Sequence, residues 1–392
     1  MAYRKFQATQ LFTGTRLLND PVVLVADQQG TIQAIIPASE AGDDVQLLEG
    51  MLCPGFVNAH CHLELSHMLG LIPRHTGLVN FVKSVITQRH FDEALIREAI
   101  HNAAITMQSN GIVAVGDICN NTLTLQQKLE GGLHYQHFVE VSGWNPLIAQ
   151  KRLGQSLQYL QAYQDVFPGH SSLVPHAPYS VSAALWESMT PYFEGQTITI
   201  HNQECQAENE LFRQGSGDFL KLYDSMGIQN NSFSATGQNS LPSYLHYLQR
   251  AARLILVHNS FTTDTDLEYL MQFKGPEVFM CLCPNANLYI ENILPPVNLF
   301  RQFGIPLVLG TDSLASNNQL SILSEIRLLL EAFPQISLSE LLQWATYNGA
   351  RALNRDSRLG SFAPQTKPGI LLLPVADHLL ENQAEPQVLM PA

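Results

Sequence analysis

The chain has 392 residues, of which 45% are hydrophobic and only 14% charged, and its formal net charge is -13. That length makes two or three ordinary domains, or one large α/β barrel with an appendage, and it buries a core without covalent staples. The low charge content excludes an extended disordered chain. With 21 Lys plus Arg against 34 Asp plus Glu, a broad nucleic-acid surface is excluded as well.

The start, Met1-Ala2-Tyr3-Arg4-Lys5-Phe6, has no apolar leader core, and the late apolar run from Gly369 to Ala376 is too short to span a bilayer. Six irregularly spaced cysteines do not form a disulfide framework. A soluble, cytoplasmic protein is expected. Histidine is in excess, with 14 against 7 lysines. Neutral imidazole is the commonest metal ligand, so the placement of these histidines decides what they mean.

In chain order, residues 1–52 read as short strands and turns: Phe6–Phe12, Val22–Ala26, Gly30–Ile36 and Val45–Glu49. Eight short, almost continuously apolar runs follow. They are Gly55–His62, Gly111–Cys119, His134–Ser142, Ser172–Ser180, Thr197–Glu204, Arg253–Ser260, Glu277–Pro284 and Pro306–Ser313. Each fits a parallel strand covered on both faces. Helical stretches are predicted between them, including Phe81–Ser109, Ser182–Tyr192, Asp264–Phe273 and Gln319–Phe333. This alternation over about 300 residues is the pattern of a (β/α)8 TIM barrel, a doubly wound sheet being the competing α/β architecture. After Leu353 the β-rich style returns, with a strand expected over Gly369–Val375. The expected division is a barrel at 53–353 and flanks at 1–52 and 354–392, which form either one small sheet domain or two independent caps.

Polar residues collect where the apolar runs end: His60, His62, His176, His201, His258 and Asp312. In a barrel, those ends form the catalytic face. His60 and His62 alternate along a strand and can reach one point. With His201 and Asp312 they make a set that suits a zinc-type divalent ion with one position left for water. Local pairing of His201 and Asp312 in a polar core is the alternative. Glu204 follows His201 by three residues and can reach over an open metal site as general acid/base. His258 either polarises the substrate or is a satisfied core histidine. Cys281 and Cys283 lack the spacing of a thiol-exchange pair and read as small buried residues.

The run Pro54–His62 (PGFVNAHCH) resembles the first-strand signature of the amidohydrolase superfamily. His201 with Glu204, His258, Gly310–Ser313 (GTDS), Ala345–Leu353 (ATYNGARAL) and Leu359–Phe362 (LGSF) are similar to its later signatures, in order. The resemblance covers nearly the whole chain. It implies a (β/α)8 barrel with a small composite β-sandwich built from both chain ends. It also implies one divalent ion, zinc favoured and iron compatible, held by His60, His62, His201 and Asp312. The fourth run ends in His176 rather than lysine, as in the mononuclear deaminase and chlorohydrolase branch.

Narrower segments, His62–Ser66 (HLELS), Gly77–Val82 (GLVNFV) and Val85–Arg89 (VITQR), are similar to aminodeoxyfutalosine deaminases of menaquinone biosynthesis. The implied reaction is hydrolytic deamination of a 6-aminopurine nucleoside. Alternatives are an adenosylhomocysteine, methylthioadenosine or free-base deaminase, or a chlorohydrolase of another heterocycle. The implied roles are proton acceptor for Asp312, proton donor to the ring nitrogen for Glu204, and stabiliser of the tetrahedral carbon for His258. His176 is expected near the ribose or base edge. Glu64 and Ser66 either face substrate or order their loop. Arg74, Arg89 and Arg213 are candidates for a carboxylate tail, and Arg89 lies in one of the resembling segments. His67, His75, His90 and His101 are expected to face solvent. The partners are a small-molecule substrate and, where the chain pairs, a second copy in a homodimer.

Overall fold

The computed structural model describes residues 3–375, 379–380 and 385–392. Met1 and Ala2 of the start, Ala376 of the late apolar run, and parts of the C-terminal flank (377–378 and 381–384) lie outside the described residues.

The N-terminal flank supplies β1 (Tyr3–Phe12), β2 (Leu17–Leu18), β3 (Val22–Asp27), β4 (Ile32–Pro37) and β5 (Gln46–Pro54). β14 (Ile370–Leu373) returns from the other end and pairs with β5, and β15 (Gln387–Met390) pairs with β14, giving one seven-stranded sheet ordered β15-β14-β5-β1-β3-β4, with β2 on β1. Phe6, Leu11, Leu24, Leu52, Ile370 and Met390 pack together in it, so both chain ends share one apolar cluster. β5 runs on to Pro54, across the 52/53 division expected from sequence, because Cys53 and Pro54 still pair with Leu371 and Ile370.

The barrel strands are β6 (Phe56–Cys61), β7 (Ile112–Cys119), β8 (His134–Val141), β9 (Ser171–Pro175), β10 (Thr197–Asn202), β11 (Arg253–His258), β12 (Glu277–Leu282) and β13 (Leu307–Leu309). They pair in sequence order and in parallel as two sets of four. One seam between the sets is bridged by His201 N–H donating to His176 O (3.0 Å), the other by Thr311 and Asp312 N–H donating to His60 O (3.1 and 3.2 Å). Val57, Phe138, Leu173, Ile200, Leu256, Met280 and Val308 bury into one continuous core. The fold is a (β/α)8 barrel with a composite β-sandwich unit from both chain ends.

Around it lie α1 (Leu78–Gln88), α2 (Glu93–Ser109), α3 (Leu125–Leu129), α4 (Ala149–Val166), α5 (Ala183–Met189), α6 (Gln206–Gln214), α7 (Asp218–Ser225), α8 (Ser240–Tyr244), α9 (Asp264–Gln272), α10 (Pro284–Ile290), α11 (Val297–Gln302), α12 (Ile322–Ala332), α13 (Leu338–Gln343) and α14 (Gly349–Ala352). The helix expected over Phe81–Ser109 is in fact two. The Asp92 side chain accepts from Ala94 N–H (2.9 Å) and starts α2 afresh. The break leaves Arg89 and His90 in a connector. The fourth and eighth strands are shorter than expected. Pro178–Ser180 is a 3-10 turn, and Asp312 lies three residues beyond β13.

Candidate active site

His60 and His62 close β6 with their Nε2 atoms 3.1 Å apart, and each Nε2 is 3.4 Å from Asp312 Oδ1. Asp312 adopts φ +57 and returns to the first strand through its N–H on His60 O. Gly310 permits this close approach, because a Cβ there would sit 2.9 Å from His60 Cβ and 3.0 Å from the sulfurs of Cys281 and Cys283. Those two cysteines are free and buried, as are the other four.

The His201 ring centre lies 4.9 Å from that of His60 and 5.3 Å from that of His62. Both His201 ring nitrogens, with His60 Nδ1 and His258 Nε2, are buried without a hydrogen-bond partner. Buried polar atoms left unpaired are costly and uncommon. The donor atoms of His60, His62 and Asp312 lie within 4.8 Å of one another, as do those of His60, His201 and His258. These orphaned nitrogens and the adjacent carboxylate fit a divalent cation, which would satisfy them together. His258 stands close enough to belong to either the ligand set or the proton-handling set.

The electrostatics agree with ligation by neutral imidazole. Burial, reinforced by neighbouring histidines, lowers His62 to about 3 and His258 and His176 to about 4, and holds His201 well below its ordinary range. Burial alone would raise the Asp312 carboxyl, but the hydrogen bond from His60 and the charges of His62 and His258 outweigh it and keep it low. Its other oxygen accepts from the Ser316 hydroxyl.

Glu204 is buried two residues beyond β10, with Oε1 3.6 Å from His258 Nε2 and Oε2 3.9 Å from His201 Nδ1. Burial, then the charges of Asp312 and Glu208, raise its carboxyl well above the usual range. It can therefore hold a proton for delivery. Asn287 Nδ2 lies 3.4 Å from His258 Nδ1, which leaves Nε2 as the hydrogen-bearing nitrogen facing Glu204. His258, Gln203 and Asp312 all have positive φ (+73, +45 and +57). Such non-glycine conformations cost about 1–3 kcal/mol each and cluster at functional sites.

A cavity of ≈ 710 Å³ opens above these groups. His62, His176, His201, Glu204, His258, Asp312, Glu64 and Arg89 all line it. Ser66 does not. Its hydroxyl donates to Leu63 O (2.7 Å), and it orders the turn after His62 instead of facing a substrate. Glu64 takes both alternatives at once, lining the cavity while accepting from Asn120 N–H (3.0 Å) and Asn121 Nδ2 (2.8 Å). Burial raises it to about 7. Arg74 lies over the Tyr289 ring, and neither it nor Arg213 lines the cavity. His90 is exposed, as expected, at the rim of the cavity it lines, whereas the His67 ring is half-buried against Arg89 O (3.0 Å) and does not simply face solvent.

Two further lining residues were not singled out from the sequence. Glu140 is the last residue but one of β8, a polar position near the end of an apolar run, and it lies within 4.8 Å of ring nitrogens of His176 and His201. Arg152 sits on α4 and lines the cavity with Gln155 and Tyr159. No sequence signal marks it, since it lies on the exposed side of an ordinary amphipathic helix.

The amidohydrolase family model matches residues 51–388. The chain is 26% identical over 319 residues to an adenosine deaminase of Helicobacter pylori, covering 77% of this chain and 74% of that protein. It is also similar to the crystal structure of Helicobacter pylori aminofutalosine deaminase in complex with methylthio-coformycin, with TM-score 0.83, 22% identity, and coverage of 98% of this chain and 97% of that one. A third likeness is to an adenosine deaminase from Xanthomonas campestris with bound zinc, with TM-score 0.71, 20% identity, and coverage of 94% and 83%.

Proposed function

The chain belongs to the amidohydrolase family, and from that premise we propose that it is a hydrolytic deaminase of 6-aminopurine nucleosides, with aminodeoxyfutalosine as the favoured substrate. The observation that carries this reading is Glu204 poised between His258 and His201 on the wall of the cavity, beside the convergent His60, His62 and Asp312. We assign His60, His62, His201 and Asp312 as the metal ligands, with zinc favoured because a zinc-bound adenosine deaminase shares the fold. A divalent ion held there acidifies a water for attack on the amino-bearing carbon.

The chain's own groups handle the protons. Asp312 accepts one from the attacking water through Oδ1 and passes it to the departing amino group, which leaves as ammonia when the C–N bond breaks. Glu204 delivers one to the ring nitrogen beside the reacting carbon, which makes that carbon electrophilic. His258 donates from Nε2 to the new oxygen as charge develops on it. His176 and Glu64 line the space next to the base, where a ribose would lie.

Two unpaired arginines support a substrate with an anionic tail. Arg89 and Arg152 line the cavity, and among the described residues neither guanidinium forms an ion pair or hydrogen bond. Val82, Val85, Ile86 and Ile148 give that region apolar walls, as an aryl carboxylate would require. Such a substrate would place the enzyme in menaquinone formation, in the cytoplasm. We also assign residues 53–353 to the catalytic unit and the two flanks to the β-sandwich.

The reading is tested by a panel that follows ammonia release from aminodeoxyfutalosine, adenosine, methylthioadenosine, adenosylhomocysteine and guanine, and chloride release from a chlorotriazine. The highest kcat/KM is expected for the anionic-tailed nucleoside. No release from any 6-aminopurine nucleoside would refute the reading, and turnover of the triazine alone would move the protein to the chlorohydrolases.

A further inference from the structure

No hydrogen bond from the described residues holds the Glu204 carboxylate, and the rings of His258 and His201 stand 3.6 and 3.9 Å from it. Its aim is therefore inherited from the main chain just before it. That main chain belongs to Gln203, which is fully buried between a metal-ligand candidate and the proton carrier.

Every polar atom of Gln203 is engaged. Its N–H donates to Glu208 Oε1 (2.9 Å) and its C=O accepts from Phe261 N–H (2.8 Å). The side-chain Nε2 donates to Asp266 Oδ2 (2.9 Å) and Asn209 Oδ1 (3.1 Å). The side-chain Oε1 accepts from Thr262 Oγ1 (2.7 Å) and, more distantly, from Asn202 Nδ2 (3.4 Å). A primary amide has two donors and one oxygen with two lone pairs, so no capacity is left over.

Apart from the adjacent Asn202 at the end of β10, these partners come from three places. Glu208 and Asn209 are on α6, and Asp266 is on α9, where it also completes the capping box with Thr263. Phe261 and Thr262 belong to the loop that follows His258. Gln203 thus ties the loop carrying Glu204 to the loop carrying His258. It does so at φ +45, a conformation that a non-glycine residue keeps only when its surroundings over-determine it.

We propose that Gln203 is a positioning residue for the reaction, fixing the angle at which Glu204 meets His258 and the substrate ring nitrogen. The assignment rests on the reading of Glu204 as the proton donor. It gives the buried amide between His201 and Glu204 a task in chemistry beyond filling the core.

The test is Gln203→Leu, which keeps the bulk and removes the amide, with Thr262→Val as a milder variant that removes one donor to the amide oxygen. Four quantities are measured on metal-loaded enzyme: kcat, KM, metal content, and affinity for two ligands. One ligand is a purine ribonucleoside with a tetrahedral carbon at position 6, and the other is the deaminated product. For Gln203→Leu, kcat is expected to fall about a hundredfold, as small misplacements of reacting groups do. KM and product affinity should change by no more than about twofold, and metal content should stay constant. Affinity for the tetrahedral ligand should weaken in parallel with kcat/KM.

Thr262→Val should move the same quantities in the same direction by about threefold to tenfold, and it keeps the test decisive if the leucine variant does not fold. Unchanged kcat and tetrahedral-ligand affinity in the variants would overturn the assignment. So would equal weakening of product and tetrahedral ligand, which marks a general packing defect. Wild-type protein that deaminates no 6-aminopurine nucleoside overturns the underlying reading and the assignment with it, whereas an active wild type with normal variants overturns the assignment alone.

Discussion

Asn58 and Thr311 grip each other across the barrel seam: Asn58 Nδ2 donates to Thr311 Oγ1 at 2.7 Å, and Thr311 N–H donates to Asn58 Oδ1 at 3.0 Å. Asn58 stands two residues before His60, and Thr311 one before Asp312. The clasp joining the first and last barrel strands is therefore also what sets two metal-ligand candidates side by side. Asn58→Leu would remove the amide donor to the Thr311 hydroxyl and one of the two acceptors of the Thr311 N–H, which still reaches His60 O, at a cost of about 0.5–1.5 kcal/mol for each hydrogen bond lost. The expected result is a lower urea midpoint and, after dialysis, a lower metal content than wild type. Unchanged metal retention would show that the seam does not organise the site.

Lys128 is wholly buried on α3, with Nζ 2.6 Å from Asp117, 3.2 Å from Cys119 Sγ and 3.2 Å from His137 Nδ1. Asp117 in turn accepts from the N–H of Leu63, the residue after His62 (2.9 Å). Lys128→Met is expected to destabilise by about 3–5 kcal/mol, because the buried Asp117 charge loses its partner. The double variant Asp117→Asn with Lys128→Met should recover a large part of that loss. Chemical denaturation of the four-member cycle measures it, and a double variant as unstable as the sum of the singles contradicts the pairing.

Glu325 is fully buried, accepting from Asn285 N–H (2.9 Å) and Asn317 Nδ2 (3.0 Å). Burial raises it from 4.5 to about 7. A carboxyl whose folded-state pKa is raised makes the folded state bind the proton more tightly than the unfolded chain. Its stabilising contribution is complete below pH 4.5 and is lost as pH rises through about 7. Glu64, Glu140 and Glu208 are raised by burial to the same range and add to this slope. Urea midpoints of wild type should therefore fall between pH 5 and pH 8, and Glu325→Gln should show a shallower fall over the same interval.

Arg152→Met and Arg89→Met test the anionic-tail reading. Each charge-assisted hydrogen bond contributes about 1.5–3 kcal/mol, so losing one should raise KM for a carboxylate-tailed nucleoside about tenfold to a hundredfold. Adenosine, which has no tail charge, should be little affected. Steady-state kinetics with both substrates measures the difference. Equal effects on the two would remove the arginines from substrate recognition.

The barrel and its convergent histidines were legible in the sequence for a definite reason. Strands covered on both faces are apolar throughout, so the rare polar residues at their ends stand out, as His60, His62, His201 and His258 do. Asp312 was legible as the polar end of the eighth run, although the strand there is only three residues long and Asp312 lies beyond it in a left-handed conformation. Arg152 could not be read at all, because its role depends on which side of α4 meets the cavity. The break between α1 and α2 was hidden as well. Residues on both sides of it are good helix formers, and only the Asp92 cap interrupts them. Ser66 was open between two roles, and its bond to a carbonyl three residues back depends on the turn geometry, which the sequence does not show.

β5 and β6 are one line of chain interrupted only at Gly55, yet β5 is completed by β14, whose Ile370 pairs with Pro54. During synthesis the segment bearing His60 and His62 emerges early, while its neighbour's last partner emerges some 300 residues later. A nascent chain halted before Ile370 would have every histidine of the site but would lack the strand that completes β5. Folding of the N-terminal flank is in this way coupled to synthesis of the chain beyond the barrel, and such long-range closure is slow by nature.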